Sequence, residues 1–234
     1  MTKDNKIIPL MLLQHSDSAF PSGAVSFSWG LETLVNRGIV TKADDVQAFL
    51  YAQLTARWAS LDRIMLVHAH QSWSDPDRIA WLDTLLEAQS LSAEQRQGSR
   101  QMGTAMLQMH CKLGTKRAKE LSAAISKGKL YGHVSVVQGV LWRALNFDSY
   151  QAQSMAAHGL STAVLSAAVR LSVIGHEDAQ RIHSVLLPAV AAALQKPVLE
   201  PEEAHSFAPQ IEIASMMHEM DEMRLFMNLS LIHI

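Results

Sequence analysis

The sequence predicts an all-α protein: a single-domain bundle of about ten helices with a central helix rich in alanine and serine. Apolar residues recur at helical rather than alternating spacing in nearly every segment. Proline, glycine and short polar residues punctuate these segments where helices are expected to begin or end. No linker or shift in composition divides the chain. Residues 1–228 are therefore predicted to form one domain, followed by an extra C-terminal tail over residues 229–234.

The first helices are predicted from their ends. A helix over residues 28–36 is expected to stop at Gly38, because glycine readily adopts the left-handed conformation of helix C-termini. The next helix is expected to start at Thr41, since its spacing to Asp44 resembles a capping box. Its apolar stripe predicts that this helix continues to His70 and ends near residue 73.

The later helices follow capping residues or precede helix-breaking ones. Asp75 is expected to cap a helix with Pro76 in its first position, and Ser92 and Asp148 are expected to cap two later helices. Residues 134–145 are interpreted as helix despite their valines, because the chain offers no second strand to pair with them. Pro188 is expected to kink its helix, and residues 197–209 to form a polar loop. The other helices are predicted over residues 92–113, 115–128, 148–172, 177–194 and 210–228.

Composition limits the functional classes. Apolar residues make up 48% of the chain and charged residues 18%, enough for a large core with apolar surface left for partners. The formal net charge of −2 gives no global field that would favour nucleic acid or an anionic membrane. The single cysteine, Cys111, excludes an intrachain disulfide and a cysteine-based zinc cluster. Because it lacks a signal-peptide core and an apolar run of about 20 residues, the chain is predicted to be cytoplasmic.

The segment over residues 17–32 is the least generic part of the chain, because turn residues meet a carboxylate there at the head of a helix. Phe20 and Pro21 are expected to fix the turn, and Gly30 to allow close approach of another element. Glu32 has two readings. It is either a solvated carboxylate favoured by the helix N-terminus or a group that faces a protein partner.

No motif for catalysis or cofactor binding is present. The chain has no phosphate-binding loop, no dinucleotide-binding glycine pattern and no nucleophile elbow. The histidines are not spaced for chelation: His176 and His183 lie about 10 Å apart along a helix, and His218 is adjacent to Glu219. The sequence therefore predicts a protein that is not an enzyme, with no catalytic residue, no cofactor and no metal site.

Four methionines of the last predicted helix share one stripe, because they follow a 4-3-4 spacing. Core packing is one interpretation of this stripe, and an adaptable surface for a partner is the other. The four residues are Met216, Met220, Met223 and Met227.

Several segments, in chain order, resemble the urease accessory protein UreF family. The resemblance covers nearly the whole chain. It rests on Leu12-Leu13-Gln14, Asp17-Ser18-Ala19-Phe20-Pro21 with Gly23 and Ser28-x-Gly30-Leu31-Glu32, Arg100-Gln101-Met102-Gly103, Tyr131-Gly132-His133 with Val136-Val137-x-Gly139, the run over residues 165–171 with Ile174-Gly175 and Gln180-Arg181, and Ile213-Ala214-Ser215-Met216, His218-Glu219 and Arg224-Leu225-Phe226.

The resemblance implies an all-helical, non-enzymatic accessory protein that forms a homodimer. Such a protein sits between the urease accessory protein UreD/UreH and the GTPase UreG, and modulates GTP-dependent nickel insertion into apo-urease. The missing phosphate loop agrees with this role, because the nucleotide would belong to the partner. The partner-binding residues that the resemblance implies are Phe20, Pro21, Gly23, Ser28, Glu32, His218, Glu219, Arg224 and Phe226.

Some positions depart from the family pattern. Val25 and Glu222 stand where aromatic residues are usual, and Met217 and Met227 where arginines are usual. Residues 229–234 extend beyond the family's usual end. Two other functions are also considered from the residues. One is a nickel metallochaperone that binds Ni²⁺ itself through histidine and glutamate, with His218 and Glu219 as its motivation, and the other is a helical hydrolase.

Overall fold

The computed structural model describes residues 6–221 and 225–226. Helix α1 spans Ile8–Ser16, and a short 3₁₀ turn at Ala24–Ser26 leads to α2, Leu31–Asn36. Helices α3 (Ala43–Ala52) and α4 (Arg63–Gln71) are joined without a break by a π-helical stretch, Gln53–Asp62. The other helices, in chain order, are α5 (Pro76–Gln89), α6 (Ala93–Lys112), α7 (Ala118–Ser126), α8 (Val134–Ala144), α9 (Ser149–Arg170), α10 (His176–Gln195) and α11 (Pro209–His218), with a 3₁₀ turn at Pro201–Glu203 before the last.

The predicted all-α class is confirmed, and the part of the chain that the structure describes contains no β-strand. Helix α9 is the predicted central helix: it packs against α1, α2, α3, α4, α8 and α10. Its buried face consists mostly of alanines, so neighbouring helices approach closely. The division into residues 1–228 and a tail stays a prediction, because residues 227–234 lie outside the described ranges.

Two helical glycines allow another segment of backbone to approach closely. A Cβ on Gly139 of α8 would collide with the carbonyl oxygen of Leu66 in α4, and one on Gly103 of α6 with the carbonyl oxygen of Gly132. Gly132 belongs to the loop before α8. Asp83 of α5 also holds this loop, because its carboxylate accepts hydrogen bonds from the backbone N–H groups of residues 131–133. Helices α4, α5, α6 and α8 therefore form one tightly packed frame.

Several predicted caps are confirmed. Asp75 accepts hydrogen bonds from the N–H groups of Asp77 and Arg78, and Ser92 accepts one from Gln95. Asp148 and Gln151 form a reciprocal capping box at the start of α9. Each of these caps depends only on residues within one turn, which is why the sequence predicted them.

Four features of the helices differ from the predictions. Helix α2 starts at Leu31 rather than residue 28, because Trp29 and Gly30 both have positive φ, 54° and 84°. The residue at the start of α3 that pairs with Thr41 is Asp45, not Asp44. Helix α1 was not predicted. The last helix ends at His218 rather than residue 228, so the methionine stripe does not continue along one helix.

Candidate functional site

The opening stretch, residues 17–30, is a series of tight turns that packs against α6 and against the C-terminal end of α1. The Asp17 carboxylate accepts a hydrogen bond from the Ala19 N–H at 2.7 Å. Phe20 is buried against the ring of His15, and Gly23 has a φ of 74°. A Cβ on Gly23 would lie 3.2 Å from the Cβ of Ala105 in α6. This packing fixes the path of the stretch across the bundle.

The end of this stretch docks on α11. A Cβ on Gly30 would lie 3.0 Å from the backbone nitrogen of Ser215 and 3.1 Å from the Cβ of Ala214. The expectation that Gly30 allows close approach is therefore confirmed. Since α2 begins at Leu31, this contact brings the first turn of α2 directly beside the end of α11.

A buried histidine lies between two glutamates at this junction. His218 has no exposed surface, its Nε2 lies 2.9 Å from Glu32 Oε2, and its Nδ1 lies 2.8 Å from Glu94 Oε2. A neutral imidazole carries only one N–H, so two simultaneous bonds to carboxylates require the imidazolium. The three side chains, from α2, α6 and α11, are called the carboxylate clamp below.

The carboxylates determine the protonation of this histidine. Burial by itself lowers the pKa of His218, but the hydrogen bonds and negative charges of Glu94 and Glu32 outweigh it, so the pKa is raised above 6.5. The imidazolium is the form that satisfies both hydrogen bonds, and the raised pKa extends its range toward higher pH. One positive charge then bridges two buried negative charges, which is the condition under which buried charges are tolerated.

Glu32 also holds the segment that follows α11. Its Oε1 accepts a hydrogen bond from the N–H of Leu225 at 2.6 Å, and its Oε2 accepts one from the N–H of Phe226 at 3.1 Å. Only 3% of Glu32 is exposed, so it is neither a solvated carboxylate nor a side chain that faces a partner in this structure. It is a buried acceptor that folds residues 225–226 back over α2.

Arg170, the last residue of α9, joins the two ends of the chain. Its guanidinium lies over the ring of Phe226 with Cζ 4.2 Å from the ring centroid, and Nη2 donates to the carbonyl oxygen of Val25. Burial lowers the pKa of Arg170, and the charge of Glu32 opposes this effect. The opening stretch and the C-terminal segment are therefore held by the same cation.

Glu219 reinforces the junction from outside. Its side chain is exposed, but Oε1 accepts hydrogen bonds from the Ser92 hydroxyl at 3.1 Å and from the Glu94 N–H at 2.9 Å. These donors lie at the N-terminus of α6, where a negative charge is favourable. Adjacent residues His218 and Glu219 thus both attach the end of α11 to the start of α6.

A polar network lines a cavity of about 160 Å³ beneath the opening stretch, which Glu94 of the clamp also lines. Gln95 donates to the Ser215 hydroxyl at 3.2 Å and accepts from Arg57 at 2.8 Å, and Arg57 lies 3.5 Å from Asp62. Burial raises the pKa of Asp62, while Arg57 and the hydroxyl of Ser135 act in the opposite direction. Arg57 and Asp62 both belong to the π-helical stretch, and such stretches are frequent at functional sites.

The structure brings four of the nine predicted partner-binding residues together at the clamp, Glu32, His218, Glu219 and Phe226, and it buries five of the nine. Pro21 and Glu219 are exposed and Gly23 is half-buried, while Arg224 lies outside the described residues. The buried members of the set are Phe20, Ser28, Glu32, His218 and Phe226. Partner binding by these residues stays a prediction. The buried ones can shape a binding surface but cannot touch a partner in this conformation.

Sequence reasoning missed Glu94, Arg170 and Ser215. These residues lie far from Glu32 in the sequence, and no local spacing relates them to it. The methionine stripe, which the sequence left open between core and partner surface, is exposed at Met216 and Met220. Ile213 on the same helix and Leu225, whose N–H binds Glu32, are exposed apolar side chains that the sequence did not single out. Met216 and Met220 are therefore not core residues, and Met223 and Met227 lie outside the described ranges.

The clamp does not have the geometry of a metal centre. The two carboxylates approach opposite edges of the His218 ring and do not converge on one point. Within residues 6–221 and 225–226, no group of three or more histidine, cysteine, aspartate or glutamate side chains could hold an ion. None of the helices described is both long enough and apolar enough to cross a membrane.

Comparison with known proteins gives a consistent result. The model of the UreF family matches residues 40–187. A urease accessory protein UreF of Trichodesmium erythraeum (strain IMS101) is 33% identical over 225 residues, which cover 94% of this chain and 96% of that protein. The urease accessory protein UreF 1 of Brucella melitensis biotype 1 (strain 16M) is 30% identical over 224 residues, 94% of this chain and 92% of the relative. An Arthrobacter sp. (strain FB24) protein of the same description is 29% identical over 221 residues, 94% and 96% of the two chains.

Proposed function

The chain belongs to the UreF family of urease accessory proteins, and on this basis we propose that it is a scaffold for nickel insertion into apo-urease. It bridges a urease accessory protein of the UreD/UreH type and the GTPase UreG. In this assembly it modulates GTP hydrolysis or couples it to nickel transfer. It acts as a homodimer in the cytoplasm, and it carries out no catalytic step itself.

The observation that carries this proposal is the carboxylate clamp. It joins two segments that lie nearly 200 residues apart, and the ring and carboxylate groups that do so are almost fully buried. Such a junction has a fixed shape, because breaking it would leave a buried charge without a partner. Beside it lies an apolar surface that includes Met220, 85% exposed, and Leu225, 60% exposed.

An exposed apolar surface on a rigid support is typical of a protein–protein docking site. Methionine and leucine side chains suit such a surface, since they adapt their shape to a partner. The clamp would then act on the partner indirectly, by holding the surface in its binding conformation. This is the role that we propose for Glu32, His218 and Phe226.

The alternative of a metallochaperone that carries nickel at His218 and Glu219 gains no support from the geometry. Both nitrogens of His218 already bond to carboxylates, and Glu219 binds the N-terminus of α6. No second candidate function is therefore put forward on this site.

Co-purification tests the proposal. The full chain is co-expressed with its UreD/UreH-type and UreG-type partners, one pair at a time and all together. We expect a stable complex with the UreD/UreH-type protein, to which UreG adds. No complex with either partner at any salt concentration would refute the scaffold role.

A matched pair of variants connects the result with the clamp. Glu32→Gln removes the charge that holds residues 225–226, while Glu177→Gln changes an exposed carboxylate in the first turn of α10. We expect weaker complex formation for the first variant and an unchanged complex for the second. Equal complex formation by both would contradict the indirect role of Glu32.

A further inference from the structure

Two histidines face each other across the pair of helices α9 and α10. The ring centroids of His158 and His183 lie 5.2 Å apart, and the ring planes meet at 86°. Both side chains are half-buried, so the rings contact the protein and remain open to solvent on one side. Among the residues that the structure describes, no group forms a hydrogen bond with a ring nitrogen of His158 or His183.

This pair differs from the other histidines of the fold. His15 and His110 are also close, at 5.0 Å, but their rings are stacked with an interplanar angle of 11°. Lone pairs of imidazole nitrogens lie in the ring plane, so stacked rings cannot direct them at one ion. His218 is also excluded, because both its nitrogens are occupied. Of these three arrangements, only the His158–His183 pair has rings that are accessible to solvent and close enough to share one ion.

The separation fits two ligands of one tetrahedral ion. A metal–nitrogen bond of about 2.1 Å, plus about 1.1 Å from nitrogen to ring centre, places each centroid about 3.2 Å from the ion. At the tetrahedral angle of zinc sites, two such ligands have centroids about 5.2 Å apart, and at the angle of about 90° of square-planar Ni²⁺ they are about 4.5 Å apart. The χ2 torsion of histidine is soft, so each ring can turn a nitrogen toward a shared ion without moving its helix.

We infer that His158 and His183 form a binding site for one late first-row divalent cation, such as Ni²⁺ or Zn²⁺. Imidazole is a preferred ligand of these ions and a poor one for Mg²⁺ or Ca²⁺. The neutral ring is the form that binds a metal, so binding should weaken at acid pH. With two protein ligands, the remaining coordination positions are open to water or to a group of another molecule.

The two ligands come from different helices. His158 lies in the middle of α9, and His183 in the first half of α10. A bound ion would therefore link α9 to α10, and it would stabilise the folded chain increasingly as the free ion concentration rises above the Kd. The site lies apart from the carboxylate clamp, and the inference does not depend on the proposed scaffold function.

The experiment is calorimetric titration of the tag-free full chain with NiCl₂, ZnCl₂ and MgCl₂, one at a time. His158→Gln and His183→Gln each remove one ligand. His176→Gln is the matched control, because His176 is exposed and lies two turns before His183 on the same helix. Circular dichroism of all four proteins checks that the fold is unchanged.

We expect the wild-type chain and His176→Gln to bind one Ni²⁺ or Zn²⁺ ion per chain at this site, and not Mg²⁺. Each of the other two variants should lose this ion. The same ion should raise the melting temperature of the wild-type chain and of His176→Gln, but not of His158→Gln or His183→Gln. Binding that persists unchanged in both ligand variants, or no binding of either ion to the wild-type chain, would overturn the site.

Discussion

Replacement of His218 by glutamine is the sharpest test of the carboxylate clamp. The imidazolium donates to Glu32 and Glu94 from opposite edges of its ring, at 2.9 and 2.8 Å. Glutamine has one amide nitrogen and one oxygen, and the oxygen cannot donate. At least one buried carboxylate would therefore lose its donor, and both would lose the neutralising charge.

The size of the expected destabilisation follows from the burial of the three clamp side chains. His218 has no exposed surface, and Glu32 and Glu94 are 3% and 7% exposed, so water cannot replace the lost bonds without rearrangement. Breaking a buried ion pair by removing one partner costs about 3–5 kcal/mol. We therefore expect His218→Gln to lower the free energy of unfolding by about 3–5 kcal/mol near pH 6.

The pH dependence of this stability difference is a second, independent test of the imidazolium. The pKa of His218 is raised in the folded chain above the value of 6.5 that it has when unfolded. Its stabilisation is thus fully present below pH 6.5 and is lost as the pH rises through the folded pKa. The difference between the wild-type chain and His218→Gln should therefore shrink between pH 6 and alkaline pH.

The assay is guanidinium unfolding followed by circular dichroism at pH 6 and at pH 9, with His176→Gln as the control at an exposed position. The control should unfold like the wild-type chain at both pH values. A difference between the wild-type chain and His218→Gln that is constant, or that grows toward pH 9, would refute an imidazolium between the two carboxylates.

Three further predictions concern the frame around the clamp. Gly103→Ala should lower the free energy of unfolding by about 1–3 kcal/mol or more, because its Cβ would collide with the Gly132 carbonyl. Gly159→Ala, in α9 with open space around it, should not be destabilising and serves as its control in chemical denaturation. Asp83→Asn should cost about 1–3 kcal/mol in the same assay, since the amide nitrogen cannot accept from the backbone N–H groups that the carboxylate binds. Burial, with a smaller effect of a neighbouring histidine, lowers the pKa of His110 to about 4, so its stabilisation is present above pH 6.5 and lost as the pH falls toward 4. His110→Leu should reduce that acid-side loss of stability, and unfolding curves from pH 7 to pH 4 that match the wild-type slope would contradict it.

The helices were predictable where their ends depend on local groups. Asp75, Ser92 and Asp148 each cap a helix through backbone groups within three residues, so a single sequence contains the whole interaction. Helix α1 lacks such a signal: its first residues carry no side-chain cap and it buries no residue completely. The start of α2 was placed too early because Trp29, a bulky residue, adopts a positive φ that local rules disfavour.

The site was predictable only in part, because its interactions are distant along the chain. The resemblance selected Glu32, His218 and Phe226, and these residues do meet. What they do could not be predicted, since the burial of Glu32 depends on Glu94 from α6 and on the C-terminal segment. A carboxylate in the first turn of a helix looks the same in sequence whether water or a histidine lies beside it.

The role of the clamp in partner binding is tested most directly by the affinity of the UreD/UreH-type partner for the wild-type chain, Glu32→Gln and Glu177→Gln, measured by calorimetry with all three proteins folded. If the clamp holds the docking surface in shape, Glu32→Gln should weaken binding by about tenfold or more, while Glu177→Gln binds like the wild-type chain. Equal affinity of all three proteins would contradict the claim that the clamp supports partner binding.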